Sequence, residues 1–139
     1  MRIGDALTLQ WADVGEAHVE WRQQKSRRQT AVPLSAAAVA LLQEIRLDPI
    51  PAGALVFPGR GGAPRSYQAV LRAFHAARAA STTTGTIHDL RRTFATELHN
   101  RGVSDELIAG LLGQKTTAVV PVYRHTKYEA LRQALGAGS

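Results

Sequence analysis

Apolar positions along this chain repeat with two different periods, and the change of period divides it into elements. Ile3, Ala6, Leu7, Leu9 and Trp11 recur as one side of a helix, so Arg2 to Trp11 predicts the end of a helix, entered without a cap. Gly15 marks a turn. From Ala17 to Gln23 the pattern alternates, with Val19 and Trp21 on one face, and predicts a strand. Lys25-Ser26-Arg27-Arg28-Gln29 is a polar tip. Thr30 to Leu34 returns as a second strand, with Pro33 near its end, where a missing N–H is tolerated. The pair reads as a β-hairpin with a basic tip.

Helical spacing then takes over. Ser35 is placed to cap a helix running to about Arg46, with Ala36, Val39, Ala40, Leu42 and Ile45 recurring on it. Asp48 to Pro51 breaks it, Leu55-Val56-Phe57 is a short apolar run, and Gly59 to Pro64 is a loop. Ser66 to about Ala80 predicts a helix with Val70, Leu71, Phe74 and Ala77 as its core face, followed by a polar linker from Ser81 to Gly85. Thr86 or Ile87 leads into a helix ending near Asn100, and Gly102 suits a left-handed stop. Ser104 caps the next helix, with Asp105 and Glu106 in the turn where the dipole favours them. Its core side is Leu107, Ile108, Leu111 and Leu112, and Gly113 ends it. Thr116 to about Tyr123 is a short element interrupted by Pro121. Lys127 to about Leu135 is a last amphipathic helix, before a loose Gly136-Ala137-Gly138-Ser139 tail. The expected class is α+β, mostly helical, with a small antiparallel hairpin.

Composition narrows the class of function. A chain of 139 residues is about one domain and can bury a core without staples. Its 17 Lys plus Arg against 11 Asp plus Glu, a net charge of +6, favour a polyanionic partner, nucleic acid before membrane. The absence of cysteine excludes disulfides and thiolate metal sites. Five scattered histidines show no ligand-like spacing, so no metal is expected, and no motif points to another cofactor. No apolar run approaches the roughly 20 residues of a membrane span, and no secretory signal opens the chain. A cytoplasmic protein is expected.

The candidate chemistry begins at Ile87-His88-Asp89-Leu90-Arg91-Arg92-Thr93-Phe94-Ala95-Thr96. His88 and Arg91, three residues apart on a helix, project from one face. An imidazole can move a proton and a guanidinium can grip two oxygens, a pairing suited to a phosphate. Further features follow a fixed order. Arg2 stands near the acidic Asp5, Lys25 precedes Val32-Pro33-Leu34 by seven residues, and Tyr123 follows Leu111-Leu112-Gly113-Gln114 by nine.

That order and spacing resemble the catalytic domain of the tyrosine recombinases, the phage-integrase family, over nearly the whole chain. The motifs that carry the resemblance are HDLRRTFAT, LLGQ with its later tyrosine, and KSRRQTAVPL. It implies a single catalytic domain over 1–139, without the amino-terminal clamp domain and the lead-in to the first helix. Arg2 matches the family's first catalytic arginine, Asp5 the supporting acid and Lys25 the hairpin lysine. His88 and Arg91 match the H-x-x-R pair, and Tyr123 the nucleophile. Gln114 stands where the family usually has histidine or sometimes tryptophan; it can donate a hydrogen bond but cannot carry charge. Arg27, Arg28 and Arg92 are expected on backbone phosphates of double-stranded DNA. Tyr67 reads as core or DNA-facing, not as a second nucleophile.

The implied activity is site-specific recombination by DNA cleavage and rejoining through a 3′-phosphotyrosine. The residue types suit it: two guanidiniums remain charged at any working pH and can brace a crowded anionic transition state. A tyrosine of ordinary pKa near 10 needs neighbouring positive charge and a proton acceptor. The resemblance further implies a homotetramer on DNA, with a monomer expected alone, in a bacterium, phage or mobile element. A second reading is a truncated or decayed integrase domain that binds DNA without strand exchange, towards which Gln114 and Pro121 point. A third, a relative of the type IB topoisomerases, fits the integrase-like HDLRRTFAT poorly.

Overall fold

The computed structural model describes residues 1–24, 27, 29–112 and 125–136, with side chains in the last group from residue 130. Its helices are α1 (Ile3–Leu7), α2 (Ala36–Glu44), α3 (Tyr67–Ala79), α4 (Ile87–Asn100), α5 (Asp105–Leu111) and α6 (His125–Ala134). Strands β1 (His18–Arg22) and β2 (Gln29–Pro33) pair antiparallel, with Val19 opposite Val32 and Trp21 opposite Thr30. The architecture is the mostly helical α+β arrangement with one small hairpin. Among the described residues no helix is long and apolar enough to cross a membrane.

Helix starts follow the expected chemistry. The side chains of Ser35, Ser66 and Ser104 each accept one of the first-turn N–H groups that lack a helical partner, from Ala38, Ala69 and Leu107 respectively. Gly102, at φ 79°, supplies the left-handed turn between α4 and α5.

Buried side chains form two clusters. The first gathers Leu9, Trp11, Val19, Trp21 and Val56 around the hairpin. The second gathers Leu98 of α4, Val103, the four apolar residues Leu107, Ile108, Leu111 and Leu112 of the α5 region, and Leu131 of α6. Val32 of β2 packs against both. The periodicity of the α5 segment therefore translates directly into burial, whereas three other expectations need correction.

The helix predicted from Arg2 to Trp11 is only the five residues of α1. The Thr8 hydroxyl bonds back to the carbonyls of Gly4 and Asp5 at 3.2 and 3.3 Å. Beyond it the backbone is used laterally: Val56 N–H donates to the Leu9 carbonyl at 2.9 Å and Trp11 N–H to that of Ala54 at 3.0 Å. A segment paired in this way cannot also make helical bonds, so Leu9 and Trp11 reach the core from a bridge and a 3₁₀ turn (Trp11–Asp13). The apolar face of α3 is not a core face, because no α3 residue is buried: Val70, Leu71 and Phe74 are half-covered and Ala77 is exposed. The last helix begins at His125, two residues before the expected Lys127. The expected stop at Gly113 and the element from Thr116 to Tyr123 lie outside the described residues.

Leu131 is fully enclosed, at 0% exposure, and Leu41 is 62% exposed. Leu131→Ala should lower unfolding stability by about 2–5 kcal/mol in a urea titration, and Leu41→Ala by less than about 0.5 kcal/mol. Equal effects would mean that α6 does not close the second cluster.

Candidate anion-binding site

One open cavity of about 800 Å³ lies between the two clusters, and Arg2, His88 and Arg91 all line it. Its other walls are apolar: Ile3 and Ala6 from α1, Val32 from β2, Leu90 and Phe94 from α4, and Leu111 and Leu112 from the α5 end. Basic side chains from the start of α1 and from α4 thus line one cavity.

The start of α4 places His88 and Arg91. The Thr86 hydroxyl accepts the Asp89 N–H at 3.3 Å, while the Asp89 carboxylate accepts the Thr86 N–H and hydroxyl at 2.8 Å each. This reciprocal cap leaves the first turn rigid. It also holds the Asp89 carboxyl below its ordinary value, first through the Thr86 hydroxyl and then through the Thr86 backbone. The approach to the cap is tied as well, since Arg78 of α3 donates to the Gly85 carbonyl at 2.8 Å. His88 is exposed in this first turn and Arg91, one turn on, is half-buried.

Arg91 donates to the carbonyl of Leu112, at the C-terminal end of α5. Burial, and after it the charge of Arg2, lowers the affinity of its guanidinium for a proton. It stays charged regardless, because an arginine does not lose its proton in the working range. Two guanidiniums lining one cavity with apolar walls give it a positive potential that favours an anion.

Arg2 is the N-cap residue of α1, in extended conformation at φ −85° and ψ 156°, and is exposed. Asp5, in the first turn of the same helix, is 7% exposed. Its carboxylate accepts the backbone N–H of Gln24 at 3.0 Å, and the Gln24 amide donates to the Thr8 hydroxyl at 2.8 Å. One residue earlier the Gln23 amide donates to the Thr30 hydroxyl at 3.0 Å, across the hairpin and out of water. The stem leading to the basic tip is therefore fastened both to α1 and to its own partner strand.

Of the other expected site residues, Lys25, Arg28, Gln114 and Tyr123 lie outside the described residues. Arg27 is exposed at the hairpin tip, at φ 58°, with its N–H donating to the Gln23 carbonyl at 2.9 Å. Arg92 is not in the cavity; it is 75% exposed, 3.6 Å from the Asp89 carboxylate, an exposed pair of little energetic weight. Tyr67, the first residue of α3, lines the cavity with Leu90. Periodicity gives no sign of this, since a residue at a helix start has no face assigned by its neighbours. In the structure each is a large side chain left largely in water, 47% exposed for Tyr67 and 60% for Leu90. No group of acidic, histidine or cysteine side chains able to hold a metal ion occurs among the described residues.

Comparison with known proteins gives a consistent set of likenesses. The model of the phage integrase family matches residues 1–130. The tyrosine recombinase XerC of Bradyrhizobium diazoefficiens is 32% identical over 139 residues, which cover 94% of this chain and 43% of that protein. The integrase of Escherichia phage HK022 is 26% identical over 138 residues, covering 91% and 38%. Among solved structures, the XerA recombinase superposes with a TM-score of 0.67 at 25% identity, over 95% of this chain and 51% of that one. The lambda integrase catalytic core superposes with a TM-score of 0.56 at 25% identity, over 81% and 71%. The chain spans about two-fifths of the length of the curated relatives it matches.

The cap at α4 can be tested by titration. Because the Asp89 pKa is depressed on folding, the stability it brings is present above the ordinary carboxylate value of 3.8 and is lost as pH falls through the lower folded value. The Asp89 carboxyl carbon should titrate below 3.8 by NMR, and Thr86→Val should move the midpoint back upward. A midpoint that does not respond to the substitution rules out the hydroxyl as its main cause.

Proposed function

The chain belongs to the phage integrase family, and on that premise we propose that it cleaves and rejoins DNA strands in site-specific recombination, through a covalent 3′-phosphotyrosine. The observation that carries the proposal is the meeting of Arg2, His88 and Arg91 in one cavity. The lambda integrase tetramer bound to a Holliday junction is among the solved structures this chain resembles, with a TM-score of 0.59 at 25% identity over 91% of the chain. That likeness supports double-stranded DNA as substrate and a homotetramer as the working assembly, formed on DNA from monomers. The bacterial and phage relatives support the bacterial cytoplasm as the setting.

In this reading Arg2 and Arg91 hold the two non-bridging oxygens of the scissile phosphodiester. Their fixed charge stabilises the extra negative charge of the in-line transition state, an effect worth about 10³–10⁵ in rate for one well-placed arginine in phosphoryl transfer. His88 accepts the proton of the Tyr123 phenol as its oxygen bonds to phosphorus. The bond from phosphorus to the 5′-oxygen breaks, and that oxygen takes a proton from the Lys25 ammonium. The products are a 3′-phosphotyrosine and a 5′-hydroxyl. A 5′-hydroxyl from a second strand then attacks the phosphotyrosine, the phenol leaves with a proton, and a phosphodiester is restored. The energy of the broken bond is kept in the intermediate, so no cofactor is needed. Asp5 supports the site by holding the hairpin stem, Gln114 donates a hydrogen bond to the phosphate, and Arg27, Arg28 and Arg92 contact flanking backbone phosphates.

A nicked suicide duplex carrying the candidate site should yield a covalent protein–DNA band on a denaturing gel, absent in Tyr123→Phe. Retarded DNA with no covalent band would sink the proposal in favour of a domain that binds without chemistry. Lys25→Ala should slow cleavage by about 10²–10⁴-fold with little change in binding. A 5′-bridging phosphorothioate, whose leaving group needs no proton, should restore the rate of that variant. Failure of the sulfur substrate to do so removes Lys25 from the general-acid role.

A further inference from the structure

The longest stretch of this chain without a carboxylate side chain runs from Pro49 to His88. It contains Arg60, Arg65, Arg72 and Arg78 and no lysine, so it alone carries four positive charges of a net +6. Two of these arginines, Arg60 and Arg65, belong to the loop that joins Pro58 to α3. That loop is closed on itself. The Gly59 N–H donates to the Ala63 carbonyl at 2.6 Å and the Gly62 N–H to the Gly59 carbonyl at 3.3 Å, while Pro58 and Pro64 stand opposite one another. Gly61 and Gly62 make the reversal, at φ 69° and 80°. A Cβ on Gly59 would stand 3.0 Å from the Ala63 carbonyl oxygen and 3.4 Å from the Arg65 Cα, so the two limbs of the loop run against each other there. Arg65 crosses the neck, its Nε donating to the Pro58 carbonyl at 2.9 Å, which occupies one N–H of the guanidinium and leaves the others. Arg60, which follows Gly59 directly, makes no hydrogen bond or ion pair among the described residues. Both arginines are exposed. Two guanidiniums are thus carried at neighbouring places on a closed frame, with no acid in the segment to neutralise them.

We propose that the Gly59–Arg65 loop is a second anchor for duplex DNA, in which Arg60 and Arg65 together hold one backbone phosphate that takes no part in cleavage. The guanidinium fork matches a phosphate, and the closed loop sets the spacing of the two forks before DNA is bound, so less is ordered on binding. Such a contact fixes the position of the duplex and leaves its bases paired and stacked. The loop is also in the right place for it. Arg65 is two residues from Tyr67, which lines the cavity with Arg2, His88 and Arg91, so the two Cα atoms are within about 7 Å. Phosphates follow one another every 3.4 Å or so along the axis on each strand, so a duplex with one phosphate at the cavity carries others past the loop. This inference rests on the DNA reading of the protein and adds a positioning contact to it.

The test measures affinity for a fluorescently labelled DNA duplex by anisotropy between about 50 and 200 mM salt. The slope of log affinity against log salt counts phosphate contacts, which a loss of folding stability alone would not change by a fixed step. The variant carrying both Arg60→Ala and Arg65→Ala should bind about five- to tenfold more weakly at about 0.1 M salt, with a slope shallower by about 0.9, the value of one phosphate. Arg60→Ala alone, which breaks no bond of the loop, should shift affinity and slope in the same direction. Arg46→Ala removes the same charge from just beyond α2, where its guanidinium lies 5.9 Å from the centre of the Trp11 ring, and should leave the slope unchanged. If the slope of the double variant is that of the unaltered protein, or Arg46→Ala lowers it as much as Arg60→Ala, the anchor is overturned while the DNA reading stands. A loss that appears only when Arg65 is removed also overturns it, because the loop has then merely come apart. If the unaltered protein binds the duplex at none of these salt concentrations, the DNA reading and the anchor fall together.

Discussion

Among the described residues, Val32 packs against both buried clusters. It lies on β2, whose pairing with β1 belongs to the first cluster, and it packs against the second cluster formed by α4, α5 and α6. The same side chain lines the cavity. The cavity is therefore a seam between two packed bodies. Arg2 arrives from the hairpin side and His88 and Arg91 from the helical side. Their separation is set by how the clusters abut across one strand, and close-packed interiors transmit small displacements because they cannot absorb them.

Legibility in the sequence follows from how local the determining physics is. The α5 segment was readable because its cap, its acidic first turn and its four buried leucine and isoleucine positions all act within a few residues. His88 and Arg91 were readable as a pair for the same reason: a spacing of three on a helix needs no tertiary information. The true end of α1 was not readable, because it depends on backbone pairing of Leu9 and Trp11 with a segment more than forty residues away. The lack of burial along α3 was hidden too. A stripe of apolar residues at helical spacing states that a face exists, not that anything is placed to cover it. The bond from Arg91 to the Leu112 carbonyl leaves no mark in composition or period, since it joins a side chain to a backbone group.

Basic side chains of the cavity are held by other groups of the protein. The Thr86–Asp89 cap fixes the turn that carries His88, and the Leu112 carbonyl holds Arg91 from behind. Asp5, out of water, spends its carboxylate on a backbone N–H of the hairpin stem. Each of these is a hydrogen bond within the protein itself. In the proposed reading, bonds of this kind fix the orientation of Arg91 and of the turn that carries His88, which lowers what must be ordered on binding.

The incomplete covering of α3 gives the cavity two unlike walls. Val32, Leu111 and Leu112 belong to or pack against the enclosed cores, and moving them would disturb close-packed neighbours. Tyr67 stands on a helix that buries no residue and is tied towards α4 by the Arg78 bond to the Gly85 carbonyl. Elements with so little enclosed apolar surface open at low free energy relative to the rest of a domain. The site thus combines a stiff jaw, which sets the charges, with a compliant one, which can follow the contour of whatever lies between them.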